Sequence, residues 1–373
     1  MEFSKGGEGR LLTWLAEKFG PASERGGVGD DAAILPFGDS YLAVTTDAVV
    51  EGVHFRRDWF TWAEIGRRAT YACLSDLAAM AAEPLACFLS IGVPPDLSDE
   101  DVHEFIAAVD AAGREFDARL SGGDTVASPT FFADLIAVGK AWNPILRRGG
   151  MPGDLLCVTG GLGCPAASVA LLNAGRTEEC FSWPWMRKRL VEHRPRVLEA
   201  VDLIVDHPHA MMDISDGLML DASRLAAASE CLAVIEAESL PLDVGVEDAA
   251  GVLGRDPLEF AAGGGEEYEL LFAIEPDDLN GAKVTLRQFD CPLTVVGWLQ
   301  EGEGAVLIDA QERPIEQTMA LGDAPNDAPL LEAAALAVAM PASGEDLRRI
   351  ADVVIKDEER PVGTALRTLV LGG

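Results

Sequence analysis

The sequence predicts an α/β (α+β) fold with two domains, and three observations lead to this prediction. The chain has 373 residues, more than a single domain usually contains. Hydrophobic residues make up 49% of it, which is enough to fill two cores. Apolar runs typical of strands alternate with segments of helical spacing, and Pro152-Gly153-Asp154 interrupts this alternation where one domain would end and the next begin.

The first domain is expected to span residues 1–150. Apolar residues at helical spacing predict helices over residues 8–19, 62–82 and 99–116. Ser98 is the expected N-cap of the third helix. Continuous apolar runs predict strands over residues 41–46, 85–93 and 131–141. The strand at 41–46 is expected to end at two hydroxyls and a carboxylate, Thr45-Thr46-Asp47, and residues 120–125 are expected to form a glycine-rich loop.

The second domain is expected to span residues 151–310 and to contain alternating strands and helices, as the first domain does. Strands are predicted over residues 155–159, 210–214, 232–235, 269–274 and 293–298. Helices are predicted over residues 166–172 and 218–228. Residues 311–373 read as an Ala/Leu-rich helical extension, with helices over residues 330–339, 345–351 and 361–371.

Charge and composition exclude several classes of function. The formal net charge of −33 argues against nucleic acid and anionic membranes as partners. The first residues lack the apolar stretch of a signal peptide, and no run approaches the roughly 20 apolar residues of a membrane helix. Seven cysteines without a CxxC motif argue against zinc and a disulfide framework. The chain is therefore expected to be a soluble, cytoplasmic protein.

Five short motifs place aspartate beside glycine, serine or threonine. They are Gly29-Asp30-Asp31, Thr45-Thr46-Asp47, Ser75-Asp76, Gly122-Gly123-Asp124-Thr125 and Asp213-Ile214-Ser215-Asp216-Gly217. Each alone is compatible with an ordinary turn, in which aspartate bonds its own backbone. Together they offer the hard oxygen ligands that suit Mg²⁺. The set predicts phosphoryl transfer, in which several metal ions bridge a polyphosphate. In such a reaction the protein mainly positions the reacting groups and neutralises the charge of the phosphates.

The remaining candidate motifs are weaker. A glycine-rich turn at residues 159–163 joins a strand to a helix, but the lysine of a Walker motif is absent. The helix at 218–228 would begin beside Ser215 and Asp216, and a helix N-terminus favours anions. His54 alone, in a loop, indicates a structural role more readily than a functional one. No Ser–His–Asp arrangement is visible, and none is needed if the attacking group is already an anion.

Taken in order over roughly residues 8 to 300, these motifs and their neighbours resemble those of thiamine-monophosphate kinases. That family belongs to the superfamily of aminoimidazole-ribonucleotide synthetase and selenophosphate synthetase. The matching segments are Gly27-Val28-Gly29-Asp30-Asp31-Ala32-Ala33, Thr45-Thr46-Asp47, Gly52-Val53-His54-Phe55, Leu74-Ser75-Asp76-Leu77-Ala78-Ala79-Met80, Gly122-Gly123-Asp124-Thr125 and Met212-Asp213-Ile214-Ser215-Asp216-Gly217-Leu218.

The resemblance implies a two-domain synthetase-like fold and a homodimer whose N-terminal domains form a shared β-barrel. It implies direct in-line transfer of the ATP γ-phosphoryl group to thiamine monophosphate, assisted by several Mg²⁺ ions and without a covalent nucleophile or general base. The metal ligands that it implies are Asp30, Thr45, Thr46, Asp47, Asp76, Asp124, Asp213 and Asp216. The ATP contacts that it implies are Gly123, Asp124, Arg148 and Ser215, and His54 and Glu266 would contact the thiamine substrate.

The chain departs from the family pattern in three places. Glu267 stands where the family usually has aspartate, and Cys164-Pro165 stands where it usually has Asp-Ser. The family commonly ends in an aromatic-rich segment that helps to hold the thiamine rings, whereas no Phe, Tyr or Trp follows Trp298 here. A thiazolium cation favours aromatic neighbours. The stacking residue would then come from elsewhere, with candidates at Trp59, Trp183 and Trp185, or the acceptor is another molecule.

Other functions stay open at this point. One alternative is a related ATP-dependent kinase or synthetase that acts on another small phosphorylated substrate. Another is a catalytically inactive relative that only binds nucleotide and metal. Selenophosphate synthetase is disfavoured because the first cysteine is Cys73, and the hydrogenase-maturation relative is disfavoured because the chain ends in Leu371-Gly372-Gly373 rather than in a cysteine.

Overall fold

The computed structural model describes residues 14, 15, 18, 28–311, 313–315, 319–322, 336–339 and 353–354. Within them the chain forms three sheets, and helices pack against the first two. The mixed α/β architecture predicted from the alternating pattern is confirmed. The predicted helix at 8–19 lies outside the described residues except for Trp14, Leu15 and Lys18, which are helical.

The first sheet contains five strands: β1 (Ala33–Phe37), β2 (Ser40–Val50), β3 (Glu83–Val93), β4 (Leu120–Ala127) and β5 (Phe132–Ala141). Their spatial order is β1-β2-β5-β3-β4. Every neighbouring pair is antiparallel except β3 with β4. Side chains along β5 alternate between buried and half-buried, so one face of the sheet lies on the core and the other is open.

Two helices cover the inner face of this sheet. Helix α1 (Trp62–Ala79) starts after Thr61, and helix α2 (Asp99–Arg114) starts after Ser98. Both starts are capping boxes, in which the N-cap hydroxyl and the carboxylate three residues later each accept a hydrogen bond from the other residue's backbone. Gly66 allows the helices to pack closely, because a Cβ there would lie 2.6 Å from the carbonyl oxygen of Phe105.

The second sheet contains six strands: β6 (Leu155–Thr159), β7 (Ala210–Asp213), β8 (Leu232–Glu236), β9 (Leu270–Ile274), β10 (Leu293–Gln300) and β11 (Gly304–Ile308). Their order is β11-β8-β10-β6-β9-β7, and only β8 and β11 pair in parallel. The strands β7 and β9 are buried along their whole length, as expected for strands covered on both faces.

Eight α-helices accompany the described second sheet. They are α3 (Cys164–Asn173), α4 (Thr177–Ser182), α5 (Pro184–Val191), α6 (Val197–Leu203), α7 (Leu218–Ala228), α8 (Val246–Leu253), α9 (Pro257–Gly263) and α10 (Leu279–Arg287). Two short 3₁₀ turns lie at Ile204–Asp206 and Ala237–Ser239. In the part of the chain that the structure describes, no helix combines the length and apolarity needed to cross a membrane.

Helix α1 joins the two halves of the molecule. It packs on β2 and β5 on one side and against β7 and α6 on the other. Fourteen of its 18 residues are buried, including the polar residues Arg68, Thr70 and Ser75. Polar groups at this depth need partners, so the helix carries hydrogen-bonding and charged groups into the junction between the sheets.

Two predictions about the first sheet are wrong in their boundaries. Strand β2 continues to Val50, so Thr45-Thr46-Asp47 lies within a strand rather than at its end, because pairing with β5 continues as far as Phe132. Residues 120–127 form strand β4 rather than a glycine-rich loop. Gly123 is needed there because its φ is +154° and a Cβ would lie 1.8 Å from the carbonyl oxygen of Leu89.

The third sheet lies in the segment predicted to be a helical extension. Strands β12 (Met319–Gly322), β13 (Leu336–Ala339) and β14 (Val353–Val354) pair in parallel and in chain order. The helix predicted over 330–339 is therefore wrong at its last four residues. A short apolar run fits a buried parallel strand as well as it fits a helix, and periodicity alone does not separate them. The helices predicted over 345–351 and 361–371 lie outside the described residues.

A buried ion network stabilises the second sheet. Glu269 precedes β9, and its carboxylate accepts hydrogen bonds from Arg196 Nε at 2.6 Å, Arg189 Nη2 at 2.9 Å and Thr159 Oγ1 at 2.7 Å. Burial opposes ionisation of Glu269, but the two guanidinium groups and the hydroxyl outweigh it and keep its pKa below the ordinary value of 4.5. Glu269 is therefore ionised at neutral pH and accepts all three of these hydrogen bonds.

We expect Glu269→Gln to destabilise the protein by about 3 kcal/mol at pH 7, because it removes the buried carboxylate that two largely buried guanidinium groups share. The matched control is Glu259→Gln, which removes an exposed pair with Arg255 and should cost less than about 1 kcal/mol. Since the folded-state pKa of Glu269 is lowered, its contribution is complete above the unfolded-state pKa and is lost as the pH falls through the folded-state value. Denaturant unfolding at several pH values measures both effects, and equal losses in the two variants would contradict this role.

Candidate active site

Three carboxylates from both halves of the molecule meet beside helix α1. Asp31 lies just before β1, Asp76 lies on α1 and Asp213 ends β7. Each offers an oxygen, and these oxygens all lie within 4.8 Å of one another. Oxygen ligands at this spacing are the kind that Mg²⁺ prefers.

The hydrogen bonds of this carboxylate cluster leave a ligand position open. Thr45 Oγ1 donates to Asp76 Oδ2 at 2.5 Å, and Ser75 Oγ donates to Asp213 Oδ2 at 2.6 Å. Asp213 Oδ1 is buried and has no hydrogen-bond partner within the described ranges. Burial and mutual repulsion raise the pKa values of Asp76 and Asp213 well above 3.8. A divalent cation would satisfy the open oxygen and offset the repulsion, so these residues fit a metal.

The structure places Asp31, rather than Asp30, in the carboxylate cluster. Arg147 Nη2 donates to Asp31 Oδ1 at 2.6 Å and Arg147 Nε donates to Oδ2 at 3.1 Å. Asp30 Oδ1 instead accepts from the backbone N–H groups of Arg147 at 3.3 Å and Asp31 at 3.2 Å. Desolvation and the charge of Asp31 raise the pKa of Asp30 to about 6. The sequence offered no means of choosing between two adjacent aspartates, and it missed Asp31.

Strand β2 sends its polar side chains to opposite faces of the first sheet. Thr45 is buried on the inner face, where it reaches Asp76, and Asp47 shares that face by alternation. Thr46 lies on the outer face and hydrogen-bonds Asp134. Asp124 is exposed on β4 and shares the outer face through the pairing of β3 with β4 and β5. The predicted ligands therefore do not form a single cluster among the described residues.

Asp47 lines an open cavity between the two halves, with about 450 Å³ of empty space including its mouth. His54, Arg68, Glu266 and Tyr268 also line it. The backbone N–H of Val50 donates to His54 Nδ1 at 3.0 Å, and Arg68 Nη2 pairs with Glu266 Oε1 at 2.9 Å. Burial raises the pKa of Asp47 to about 6. Both residues predicted to contact the substrate, His54 and Glu266, thus face one cavity together with a carboxylate.

Of the residues predicted to contact ATP, Arg148 is half-buried and forms no ion pair within the described part of the chain. It is a cation available to an anionic ligand, whereas Arg147 beside it is already paired with Asp31. Gly123 presents its backbone on β4, where no side chain fits. Asp216 is exposed and pairs with Arg224.

Asp221 occupies the turn where an anion was expected. Its Oδ2 accepts hydrogen bonds from the backbone N–H groups of Ser215, Asp216 and Gly217 at 3.0–3.1 Å. Asp221 therefore holds the turn that leads into α7, whereas the N-cap of the helix, Gly217, provides no side-chain cap. Asp221 sits in the first turn of the helix, and this position was the signal available in the sequence.

Two of the departures from the family pattern compensate for each other. The Glu267 carboxylate reaches the start of α3 and accepts a hydrogen bond from the Gly163 N–H at 2.6 Å. It therefore satisfies the start of a helix whose first residues, Cys164 and Pro165, offer no capping side chain. Burial raises the pKa of Glu267 to about 8. The longer side chain at 267 fits this arrangement.

The aromatic residues near the cavity differ from the candidates named from the sequence. Trp183 and Trp185 stack on each other, with ring centroids 6.5 Å apart, and neither lines the cavity. Trp59 is also absent from the cavity lining. Phe55 and Tyr268 line it instead.

Three family models match this sequence. The N-terminal domain of AIR synthase related proteins matches residues 29–141, and the C-terminal domain of the same proteins matches residues 151–310. A model of haloacid dehalogenase-like hydrolases matches residues 306–366, the segment that contains β12, β13 and β14.

Curated relatives and solved structures agree with the first two models. The thiamine-monophosphate kinase of Pyrococcus horikoshii is 30% identical over 315 residues, which cover 84% of this chain and 94% of the relative. That of Caulobacter vibrioides is 35% identical over 287 residues, which cover 74% and 78%. The structure of AaThiL complexed with AMPPCP and TMP is 29% identical, with a TM-score of 0.72, and the match covers 82% of this chain and 94% of that one.

We expect Mg²⁺ to raise the Tm of the protein and Asp213→Asn to remove most of that shift. A ligand at 100 times its Kd stabilises a folded protein by about 2.7 kcal/mol. The variant should also be more stable than the parent without Mg²⁺, because the raised pKa of Asp213 means that the fold opposes its charge. Thermal unfolding with and without Mg²⁺ tests both, with Asp58→Asn, at an exposed aspartate, as the control. An unchanged Mg²⁺ shift in Asp213→Asn would rule out this cluster as the metal site.

Proposed function

Since the chain belongs to the thiamine-monophosphate kinase family, we propose that it transfers the γ-phosphoryl group of ATP directly to the phosphate of thiamine monophosphate. The products are thiamine diphosphate and ADP. One observation carries the proposal: strand β2 places Asp47, which lines the cavity, on the same face as Thr45, which donates a hydrogen bond to Asp76 of the carboxylate cluster. The bound AMPPCP and TMP of AaThiL support the same pair of substrates.

The donor nucleotide is positioned by groups that the fold leaves free. Arg148, which has no ion-pair partner among the described residues, is placed to contact a phosphate, to which a guanidinium can donate two parallel hydrogen bonds. The Ser215 hydroxyl and the backbone at Gly123 supply further polar contacts. Asp31, Asp76 and Asp213 would hold Mg²⁺, with Thr45 and Asp47 beside them and Asp30, Thr46, Asp124 and Asp216 as the remaining candidate ligands. Bound Mg²⁺ ions would neutralise the charge between the donor and acceptor phosphates.

The acceptor phosphate is held against the same cluster. His54 and Glu266 face the cavity and orient the thiamine moiety, and the buried Arg68 fixes Glu266. A phosphate monoester is already an anionic nucleophile, so the reaction needs no general base. The work of the protein is to align two phosphates and to offset their repulsion, which is where most phosphoryl-transfer catalysis arises.

We also propose that two copies pair through the open face of the first sheet to form a shared barrel. Four large apolar side chains are exposed on that face: Leu35 and Phe37 on β1, Phe88 on β3 and Val126 on β4. An exposed apolar patch of this kind usually marks an interface. A second copy would cover it with the same residues.

The proposed domain limits are 1–150 for the ATP- and metal-binding domain, 151–310 for the second α/β domain and 311–373 for an added segment. We place the protein in the cytoplasm. Its seven cysteines are all buried and unpaired, which suits a reducing compartment, and ATP is its co-substrate.

We expect Asp47→Asn to lower turnover of thiamine monophosphate at least 100-fold while leaving the Tm within a few degrees, because Asp47 joins the metal cluster to the cavity. Asp58→Asn is the matched control and should keep full activity. Direct detection of thiamine diphosphate with saturating ATP and Mg²⁺ is the measurement. Retained activity in Asp47→Asn would contradict this role.

The same assay separates the alternatives. Mg²⁺-dependent ATP consumption with a different phosphorylated acceptor would indicate a related kinase or synthetase. ATP binding without any turnover would indicate an inactive relative.

We expect Phe88→Glu to convert the protein from dimer to monomer, because it places a charge in the centre of the apolar face. Val244→Glu changes an exposed valine of the second domain and should leave the dimer intact. Sedimentation velocity over a range of concentrations distinguishes the two states. A Phe88→Glu protein that remains dimeric would place the interface elsewhere.

A further inference from the structure

The wall of the cavity contains a histidine that the proposed reaction does not use. His193 lies in the segment between α5 and α6, only 2% exposed, and lines the cavity together with His54, Glu266 and Tyr268. Its Nε2 is buried and has no hydrogen-bond partner in the part of the chain that the structure describes. An orphaned buried polar atom is rare in folded proteins, and it costs free energy unless a ligand or a water satisfies it.

The surroundings of His193 hold its ring in place. The imidazole stacks on Tyr268, with ring centroids 4.4 Å apart and planes inclined by 22°, and it meets the ring of Tyr71 edge-on at 6.1 Å. Tyr268 has a φ of +51° and Glu266 a φ of +63°, backbone conformations that residues other than glycine rarely adopt. Such backbone strain often marks a functional site. The turn that presents Glu266 to the cavity thus also presents the aromatic partner of His193.

The same surroundings keep His193 uncharged. Burial, with the positive charges of Arg68 and Arg189 nearby, lowers the pKa of His193 well below 6.5. A neutral imidazole has one nitrogen with a free lone pair, which accepts a hydrogen bond. It also adds no positive charge to a cavity whose substrate would carry a thiazolium cation.

We propose that His193 Nε2 accepts a hydrogen bond from the exocyclic amino group of the aminopyrimidine ring of thiamine monophosphate, and so sets the specificity of the site. This inference rests on the proposed function. The thiazolium ring has no N–H group and no free ring-nitrogen lone pair, and the phosphate belongs at the carboxylate cluster. The amino group is therefore the part of the substrate that can donate to a buried neutral imidazole.

The stacked pair also supplies an aromatic surface in place of the aromatic residues that are absent after Trp298. Tyr268 and His193 form a flat, rigid wall within the cavity, and Phe55 lines it as well. Planar rings bind well beside such surfaces. The wall comes from the second domain and from the segment between α5 and α6, so it does not depend on the end of the chain.

The test compares binding of thiamine monophosphate with binding of the analogue that carries hydrogen in place of the amino group. Dissociation constants are measured by calorimetry on the full chain with Mg²⁺ and a non-hydrolysable ATP analogue. We expect the parent protein to prefer thiamine monophosphate about tenfold, the effect of one neutral hydrogen bond to a buried group. His193→Phe keeps an aromatic ring against Tyr268 but lacks the acceptor, so it should bind both ligands with equal affinity.

His193→Gln is the second variant, because its amide retains an acceptor. It should recover most of the preference for the amino group, which a purely structural role of His193 would not predict. The affinity for the ATP analogue should stay unchanged in all three proteins. A parent protein that binds the two ligands equally, or a His193→Phe protein that keeps the tenfold preference, would overturn the inference. Absence of thiamine diphosphate in a turnover assay, with the binding preference intact, would instead overturn the proposed reaction alone.

Discussion

Repulsion among three carboxylates, two buried and one half-buried, is the constraint on which the site depends. Asp31, Asp76 and Asp213 are drawn from the start of β1, from helix α1 and from the end of β7, so the two sheets must meet for the cluster to exist. Burial and repulsion from neighbouring carboxylates raise the pKa values of Asp76 and Asp213. Hydroxyls from Thr45 and Ser75 satisfy one oxygen of each. A buried arrangement of this kind is costly without a cation, so a bound cation would stabilise the contact between the two halves.

Helix α1 is the element that makes this possible. It is buried on both sides, and successive turns direct Arg68 toward Glu266 and the cavity and Ser75 toward Asp213. The acidic character of the chain also matters, because most arginines in the described part of the chain are paired with carboxylates. Arg147, Arg189 and Arg196 are paired with buried acids, and Arg148 has no such partner among the described residues. Phosphates in this site would have to be met chiefly by metal ions rather than by basic side chains.

Much of the fold followed from periodicity, and much of the site followed from the five aspartate motifs. Helix α7 was predicted with its observed bounds, and Ser98 is the N-cap of α2 as expected. The sequence could not show which way each of these side chains points. Asp30 and Asp31 are adjacent, and only three-dimensional packing shows which of them faces the cluster. Thr45 and Thr46 lie on opposite faces of strand β2, which can be inferred only when the strand is known to continue through both residues. The position of Asp221 in the first turn of α7 was a signal in the sequence, whereas the burial of His193 depends on tertiary contacts that no motif indicates.

On the proposed function, the cavity and the carboxylate cluster together carry one phosphoryl transfer to thiamine monophosphate. The most direct measurement supplies ATP labelled in its γ-phosphate, together with Mg²⁺ and thiamine monophosphate, and follows the label. Label recovered in the terminal phosphate of thiamine diphosphate, with no dependence on a second enzyme, is the predicted result. Label that stays in ATP or appears only as free phosphate, while thiamine monophosphate is bound and unchanged, would contradict it.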